Sequence, residues 1–445
     1  MERGSRVVRK LWVSLVSAQL AMAGVLLVGS ADVLAQDSEG SQGQQETRKT
    51  PAMREMVYQR LAKAQECVEK DDYNCAQQEL QQLGRIRDLN SYETAQMHYF
   101  YAYIYVNQDK YSEAISAYER VLEQPDLPIS LEQDAKLALA QLYVQQERYQ
   151  EGLRMLEEWF KGAENPGTTA YVLKAQIHYQ LGQFREGIPA IQRAMEIARE
   201  QGRQIEESWY QLLNVFYFEL EDYPKVIETL TILANNWPKK DYIVQLAGIY
   251  GQEGQEDRML ALFEAAYEAN WLTRGTELVT LAQLYLQAEV PYKAAALLEK
   301  GLQDGTIEGS LQNWRLLSQA WQLAQNHDKA IPALTRAAQM SNDGELSIML
   351  AQSYAQLGQW EECADAAREG LRMGGLSRAD QANMLLGNCL AEQKQYDAAL
   401  TAFQAAVRDA RDDRARQAAR QWIDYVQSEQ DRERQLAAAR ARARG

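Results

Sequence analysis

Tyr101-Ala-Tyr-Ile-Tyr-Val-Asn-Gln-Asp-Lys-Tyr-Ser-Glu-Ala114 is the stretch whose reading decides the fold. A small residue, Ala102, is followed three later by Tyr105, then six later by Tyr111, then three later by a second small residue, Ala114. The pattern returns at Ala140, Tyr143, Tyr149 and Gly152. Copies with drift follow at Ala175, His178, Phe184, Gly187; at Asn214, Tyr217, Tyr223, Val226; at Ala247, Tyr250, Glu256, Met259; and at Ala282, Tyr285, Pro291, Ala294. Three more begin at Ser318, Ala351 and Gly387 and close at Ala330, Cys363 and Ala399, and a degenerate first copy runs Ala64, Cys67, Tyr73, Ala76.

The spacing has a physical cause. Two antiparallel helices that cross closely need small side chains at the crossing, and aromatics beside it fill the wedge between them. The residues between the small pair hold the end of one helix, a tight turn such as Gln180-Leu-Gly-Gln183, and the start of the next. Closing residues fall 33 to 39 apart, which brackets the 34-residue period of the tetratricopeptide repeat. The expected fold is therefore all-α: a right-handed superhelical solenoid of about ten helical hairpins with a C-terminal capping helix. At 445 residues the chain exceeds an ordinary single core, but in a solenoid each repeat packs only on its neighbours.

Residues 1–35 read as a secretory signal peptide. Arg3, Arg6, Arg9 and Lys10 precede a mostly apolar run over 11–28, and Val33-Leu34-Ala35 offers a small-x-small cleavage site. An uncleaved membrane anchor is the alternative, because the run comes near spanning length; Ser14, Ser17 and Gln19 favour cleavage after Ala35. Delivery to the periplasm as a soluble chain, without membrane insertion after cleavage, is the expectation. The whole chain has a net charge of −15, and loss of the leader, with four basic and two acidic residues, makes it two units more negative. Such an excess disfavours nucleic acid and anionic lipid.

Residues 36–52, rich in Ser, Gly, Gln and Glu, are expected as a flexible leader, residues 53–410 as the array, 411–430 as a capping helix carrying Trp422, Ile423 and Val426, and 431–445 as a basic disordered tail. Pro125, Pro128, Asn165-Pro166-Gly167, Trp237-Pro238, Gly305, Gly344 and Gly374-Gly375 punctuate the turns between repeats. Pro189 and Pro332 each follow a small crossing residue by two and are expected near a helix start, where proline is tolerated. In an exported chain, Cys67 with Cys75 and Cys363 with Cys389 are candidate disulfides, one pair toward each end of the array; buried free thiols are the alternative, and Cys363 itself stands at a crossing position.

No HExxH, phosphate-binding glycine loop or nucleophile elbow occurs. His178 and His327 occupy aromatic slots and His98 a core stripe, so no catalytic residue, metal or cofactor is expected. One pattern stands apart from scaffold. The residue after each first small position, and the one four beyond, share the first-helix face that such solenoids turn inward. They include Tyr103 and Asn107, Gln141 and Gln145, Gln176 and Gln180, Gln283 and Gln287, Gln319, and Gln352 and Gln356. Carboxamides both donate and accept, so a ladder of them can grip an extended peptide backbone, with Val144, Tyr179, Phe218 and Leu286 holding apolar side chains between rungs. The competing reading is that glutamine is a good helix former on a wet surface. Gly248 and Gly251 interrupt the stripe, either for a bulky partner residue or for close packing.

Leu89-Asn-Ser-Tyr-Glu-Thr-Ala95, Leu246-Ala-Gly-Ile-Tyr-Gly251 with Ala265-Ala-Tyr-Glu-Ala269, Glu289-Val-Pro-Tyr-Lys-Ala-Ala295 with Leu298-Glu-Lys-Gly301, and Gln421-Trp-Ile-Asp-Tyr425 resemble the exported tetratricopeptide protein that accompanies some TonB, ExbB and ExbD systems of Gram-negative bacteria. The resemblance implies a non-enzymatic periplasmic accessory to energised outer-membrane transport, with the periplasmic region of TonB or ExbD as partner. A cell-envelope assembly scaffold, for polysaccharide export or peptidoglycan machinery, is the alternative.

Overall fold

The computed structural model describes residues 52–342 and 344–444. The expected signal peptide and nearly all of the leader lie outside the described residues. Among those described, every regular element is a helix, and none is long and apolar enough to cross a membrane. They form two compact units: one takes in residues through Gln108 together with Ser116–Ala135, the other Asp109–Ile115 and everything from Lys136.

In the first unit α1 (Glu55–Glu69) and α2 (Tyr73–Leu83) make a hairpin, and α3 (Ser91–Asn107) follows. Val57, Leu61, Ala64, Leu80, Leu83 and Ile104 form its core. The start of α3 is locked by a capping box, in which Asn90 Oδ1 accepts from the Glu93 amide at 2.8 Å and Glu93 accepts from the Asn90 amide at 3.1 Å. Arg54, just before α1, donates its backbone N–H (2.9 Å) and its guanidinium (2.7 Å) to the same carboxylate, which is fully buried. These bonds, the Arg54 guanidinium first, hold the Glu93 carboxyl down at about 2.

α4 (Tyr111–Leu122) and α5 (Ile129–Gln145) contribute residues to both units. The second unit continues with α6 (Tyr149–Gly162), α7 (Thr168–Gln180), α8 (Phe184–Glu200), α9 (Glu207–Glu219), α10 (Tyr223–Asn236), α11 (Lys240–Gln252), α12 (Glu256–Glu268), α13 (Gly275–Gln287) and α14 (Pro291–Gln303). It ends with α15 (Leu311–Leu323), α16 (His327–Met340), α17 (Glu345–Gln356), α18 (Trp360–Met373), α19 (Ala379–Glu392), α20 (Tyr396–Asp409) and α21 (Asp413–Arg444).

The repeat is written in the backbone. Asp71, Asp109, Glu147, Gly182, Glu221, Gly254, Glu289, Gln325, Gly358 and Lys394 all have φ between 55° and 70°, and each stands seven residues after the first small residue of its copy. The left-handed residue ends the first helix of each hairpin. The next N–H then reaches back to the carbonyl of the aromatic slot, as in Arg148 to Tyr143 (2.8 Å), Asp222 to Tyr217 (2.9 Å) and Gln255 to Tyr250 (2.8 Å). This is a Schellman cap, which satisfies carbonyls that the helix end would otherwise leave free.

The small positions do what crossing geometry asks. The opening residues Ala175, Ala247, Ala282 and Ala351, and the closing residues Ala294, Ala330, Cys363 and Ala399, are fully buried. A Cβ on Gly187 would lie 2.5 Å from the Phe216 ring, and one on Gly387 2.6 Å from Phe403, so at these crossings even alanine is too large. Pro189 and Pro332 sit deeper than expected, each the sixth residue of its helix. Both are exposed, so the carbonyl deprived of its donor four residues back is left to water.

α21 covers the last hairpin. Ala419 and Val426 are buried, and Trp422 stacks on Phe403 with ring centroids 5.7 Å apart. Gln430 donates to Asp397 at 2.9 Å, and Lys394 pairs with Glu433. The basic segment from residue 431, expected as a disordered tail, is helical to Arg444, in keeping with its run of Ala and Arg, both strong helix formers.

Candidate peptide-binding face

In the second unit the stripe falls where the repeat puts it, near the C-terminal half of each first helix. Gln145, Gln180, Gln283, Gln287, Gln319, Gln352 and Gln356 are exposed, and Gln141 and Gln176 are half-buried. Among the described residues none of these nine amides makes a hydrogen bond. Four glutamines elsewhere in the repeats are engaged between helices. Gln192 donates to Tyr217 Oη (3.1 Å), Gln322 to Ser353 Oγ (3.1 Å), and Gln393 to the Trp360 carbonyl (2.6 Å); Gln211 donates to the Tyr242 hydroxyl, which itself donates to Glu207. One amide population ties repeat to repeat, and the stripe faces water with its donors and acceptors unspent.

Neighbouring copies meet along this face. Tyr179, four residues after Ala175, has its ring centroid 6.5 Å from that of Phe216 in the next repeat, and its phenol is pushed up by burial and then by the Glu219 carboxylate. Val215, also in register, is buried and adds no polar group. The two interrupting glycines differ in kind. A Cβ on Gly251 would press on Met259 Sδ at 2.8 Å, a packing role, whereas one on Gly248 would meet nothing within 4 Å.

The first unit carries Tyr103 and Asn107. Tyr103 is 41% exposed, but Asn107 donates its amide to the Tyr103 carbonyl at 2.8 Å, so its donor is spent on its own helix. Asp134, six residues before Ala140 in the repeat register, was not singled out by the sequence. Desolvation holds its carboxyl above the ordinary range, and the phenols of Tyr99 and Tyr118 are pushed up by burial first, with the Asp134 charge a smaller contribution.

The Nδ1 atom of His327 is buried with no hydrogen-bond partner among the described residues. His178 is buried with Nδ1 2.8 Å from Gln183 Oε1, and half-buried His98 is held below its usual pKa by burial. Cys67 and Cys75 form a disulfide with Cα atoms 5.7 Å apart, and Cys363 and Cys389 another at 6.0 Å. Each lies within the span a disulfide bridges.

Two tetratricopeptide repeat family models match the chain, one at residues 137–202 and 348–415 and one at 95–124. No curated protein matches it. Similar solved structures include a tetratricopeptide repeat protein from Parabacteroides merdae, 15% identical over 59% of this chain and 99% of that one, TM-score 0.33. YrrB, described as a TPR protein with an unusual peptide-binding site, is 19% identical over 44% of this chain and 99% of that one, TM-score 0.35. The TPR2AB domain of yeast Sti1, in complex with pHSP90, is 15% identical over 67% of this chain and 98% of that one, TM-score 0.28. The family models recognise tetratricopeptide repeats in the segments that carry Gln141, Gln176 and Gln352.

Proposed function

We propose that the chain is a non-enzymatic, exported interaction scaffold whose amide stripe binds an extended peptide segment, and that it serves in the periplasm as an accessory to a TonB-dependent transport system. The observation that carries the reading is the row itself: nine glutamines recur at one register of the first helices, and none of their side chains makes a hydrogen bond among the described residues. An unpaired amide row recognises backbone without regard to sequence, and an acidic chain suits a basic, proline-rich ligand whose extended conformation is already populated before binding. The TonB context rests on the resemblance of Glu289-Val-Pro-Tyr292 and its companion segments.

The test is a calorimetric titration of the chain with the periplasmic region of TonB. Binding is expected, and Gln141→Ala with Gln176→Ala should weaken it about tenfold, at roughly 0.5–1.5 kcal/mol per hydrogen-bonding amide. Absence of binding ends the TonB context. Binding that the double change leaves untouched ends the stripe's role in it. Recovery of polysaccharide-export or peptidoglycan proteins on the chain, with TonB and ExbD absent, would move the scaffold to envelope assembly.

A further inference from the structure

Ten copies of one repeat allow each position to be compared with its equivalents, and one edge of the second unit breaks the pattern three times. The fifth residue after the first small position is Glu, Asn or Gln in nine copies and Leu323 in one. The eighth is Asp, Lys, Arg, Gln or Asn in nine and Val290 in one. The tenth is polar or charged in eight, Pro224 in another, and Tyr292 in the last. All three exceptions fall in two adjacent repeats, at the turn joining α13 to α14 and at the end of α15. All are exposed: Val290 36%, Tyr292 61% and Leu323 55%. Tyr292 lies edge-on to Trp321 with centroids 5.4 Å apart, so it packs across to α15, the helix that ends at Leu323.

The rim is acidic. Asp257 and Asp328 hold the Tyr292 position in the flanking repeats, and Glu289 precedes Val290; all three are exposed and make no ion pair among the described residues. The nearby cations are already engaged. Lys293 bonds Glu264 at 2.8 Å and lies over Tyr285, and Lys329 pairs with Glu299 at 3.5 Å and lies over Trp321. The surface therefore asks for an apolar side chain flanked by positive charge.

The chain carries such a segment. Arg432, Leu436 and Arg440 are four residues apart on α21 and so share one face; all are exposed, Leu436 by 50%, and Arg432 pairs with Glu429 on its own helix at 3.0 Å. After Glu433 the sequence has four arginines and no acid. Among the described residues the last bonds that α21 makes to the array are those of Gln430 and Glu433, and the helix runs on unbroken to Arg444, so the segment beyond Glu433 makes no bond to the hairpin it caps. We propose that the Val290, Tyr292 and Leu323 surface docks the basic C-terminal segment of a second copy. Such a head-to-tail contact uses different surfaces on the two chains, so it propagates beyond a dimer unless a ring closes.

The experiment is sedimentation of the chain, expressed from its complete sequence so that any leader processing takes place, across a concentration series at low salt. A mass that climbs with concentration is expected, and deletion of residues 434–445 should return it to the monomer. Val290→Gln with Leu323→Gln, which only installs side chains that sister repeats already carry and so leaves the fold intact, should do the same. A labelled peptide of residues 429–445 should bind the tail-deleted chain, more weakly as salt rises, and about tenfold more weakly in the double variant, as expected for loss of two apolar contacts. Gln150→Ala, at the Tyr292 position of another repeat, should leave that binding unchanged. A monomer at every concentration, assembly that survives either change, or peptide binding lost with Gln150 and kept without Val290 and Leu323 each overturns the proposal.

Discussion

Glu221 has φ 58° and Gly254, one repeat later at the same register, φ 69°. A non-glycine residue in this region gives up roughly 1–2 kcal/mol, while a glycine gives up about 0.5–1 kcal/mol through the greater freedom of the unfolded chain. Glu221→Gly should therefore stabilise its hairpin by about 0.5–1 kcal/mol, because the Glu221 side chain makes no bond among the described residues. Gly254→Ala should destabilise by a similar amount. A Cβ there would meet nothing within 4 Å, so the cost is conformational and owes nothing to a clash. Because repeat arrays open locally, the assay is hydrogen exchange resolved to α9–α10 and α11–α12, where the expected change in protection is about two- to fivefold in opposite directions. Lower protection from Glu221→Gly, or no change from Gly254→Ala, would refute the assignment of a shared left-handed cap.

Two further outcomes follow from contacts away from the stripe. The Glu93 carboxyl, held down at about 2, contributes stability that is complete above the ordinary glutamate range and is lost as pH falls through about 2. Acid titration followed by exchange at α3 should show this loss, and Glu93→Gln should abolish the pH dependence of that helix. Reduction of the disulfides, which close separations of 8 and 26 residues, should destabilise the first hairpin by about 2.5 kcal/mol and the α18–α19 region by about 3.5 kcal/mol on loop entropy; urea melts with and without dithiothreitol, read by local exchange, give the order.

The hairpins were legible because the chemistry at a crossing admits few side chains, so Ala102, Ala140 and Ala282 announce themselves by size. The left-handed cap was not legible, since Asp, Glu, Gln, Lys and Gly all occupy it and share only a backbone angle. The stripe's place on the first helix followed from register, yet its availability did not. Gln322 and Gln319 are the same residue type three apart on one helix, and only the fold shows that Gln322 reaches Ser353 while Gln319 reaches nothing. Asn107 likewise turns its amide onto its own helix, a choice open to any short amide there. The Arg54 to Glu93 lock joins residues 39 apart, and no local pattern signals it. The sixth position of Pro189 departed from expectation because exposure removes the penalty that burial would impose.

Gly248 is where register and packing disagree most usefully. A Cβ on Gly251 would press on the flexible end of Met259, but nothing fills the space before Gly248, so packing there gives no reason to accept the roughly 1 kcal/mol that a helical glycine costs. If the space receives a bulky side chain of the bound peptide, Gly248→Gln supplies the missing amide yet blocks the entry. Helix stability should then rise while affinity for the peptide falls, and the two must be measured on the same preparation, by melting and by titration. Equal or tighter binding would show instead that Gly248 is merely an absent rung, and that the amide row alone sets affinity.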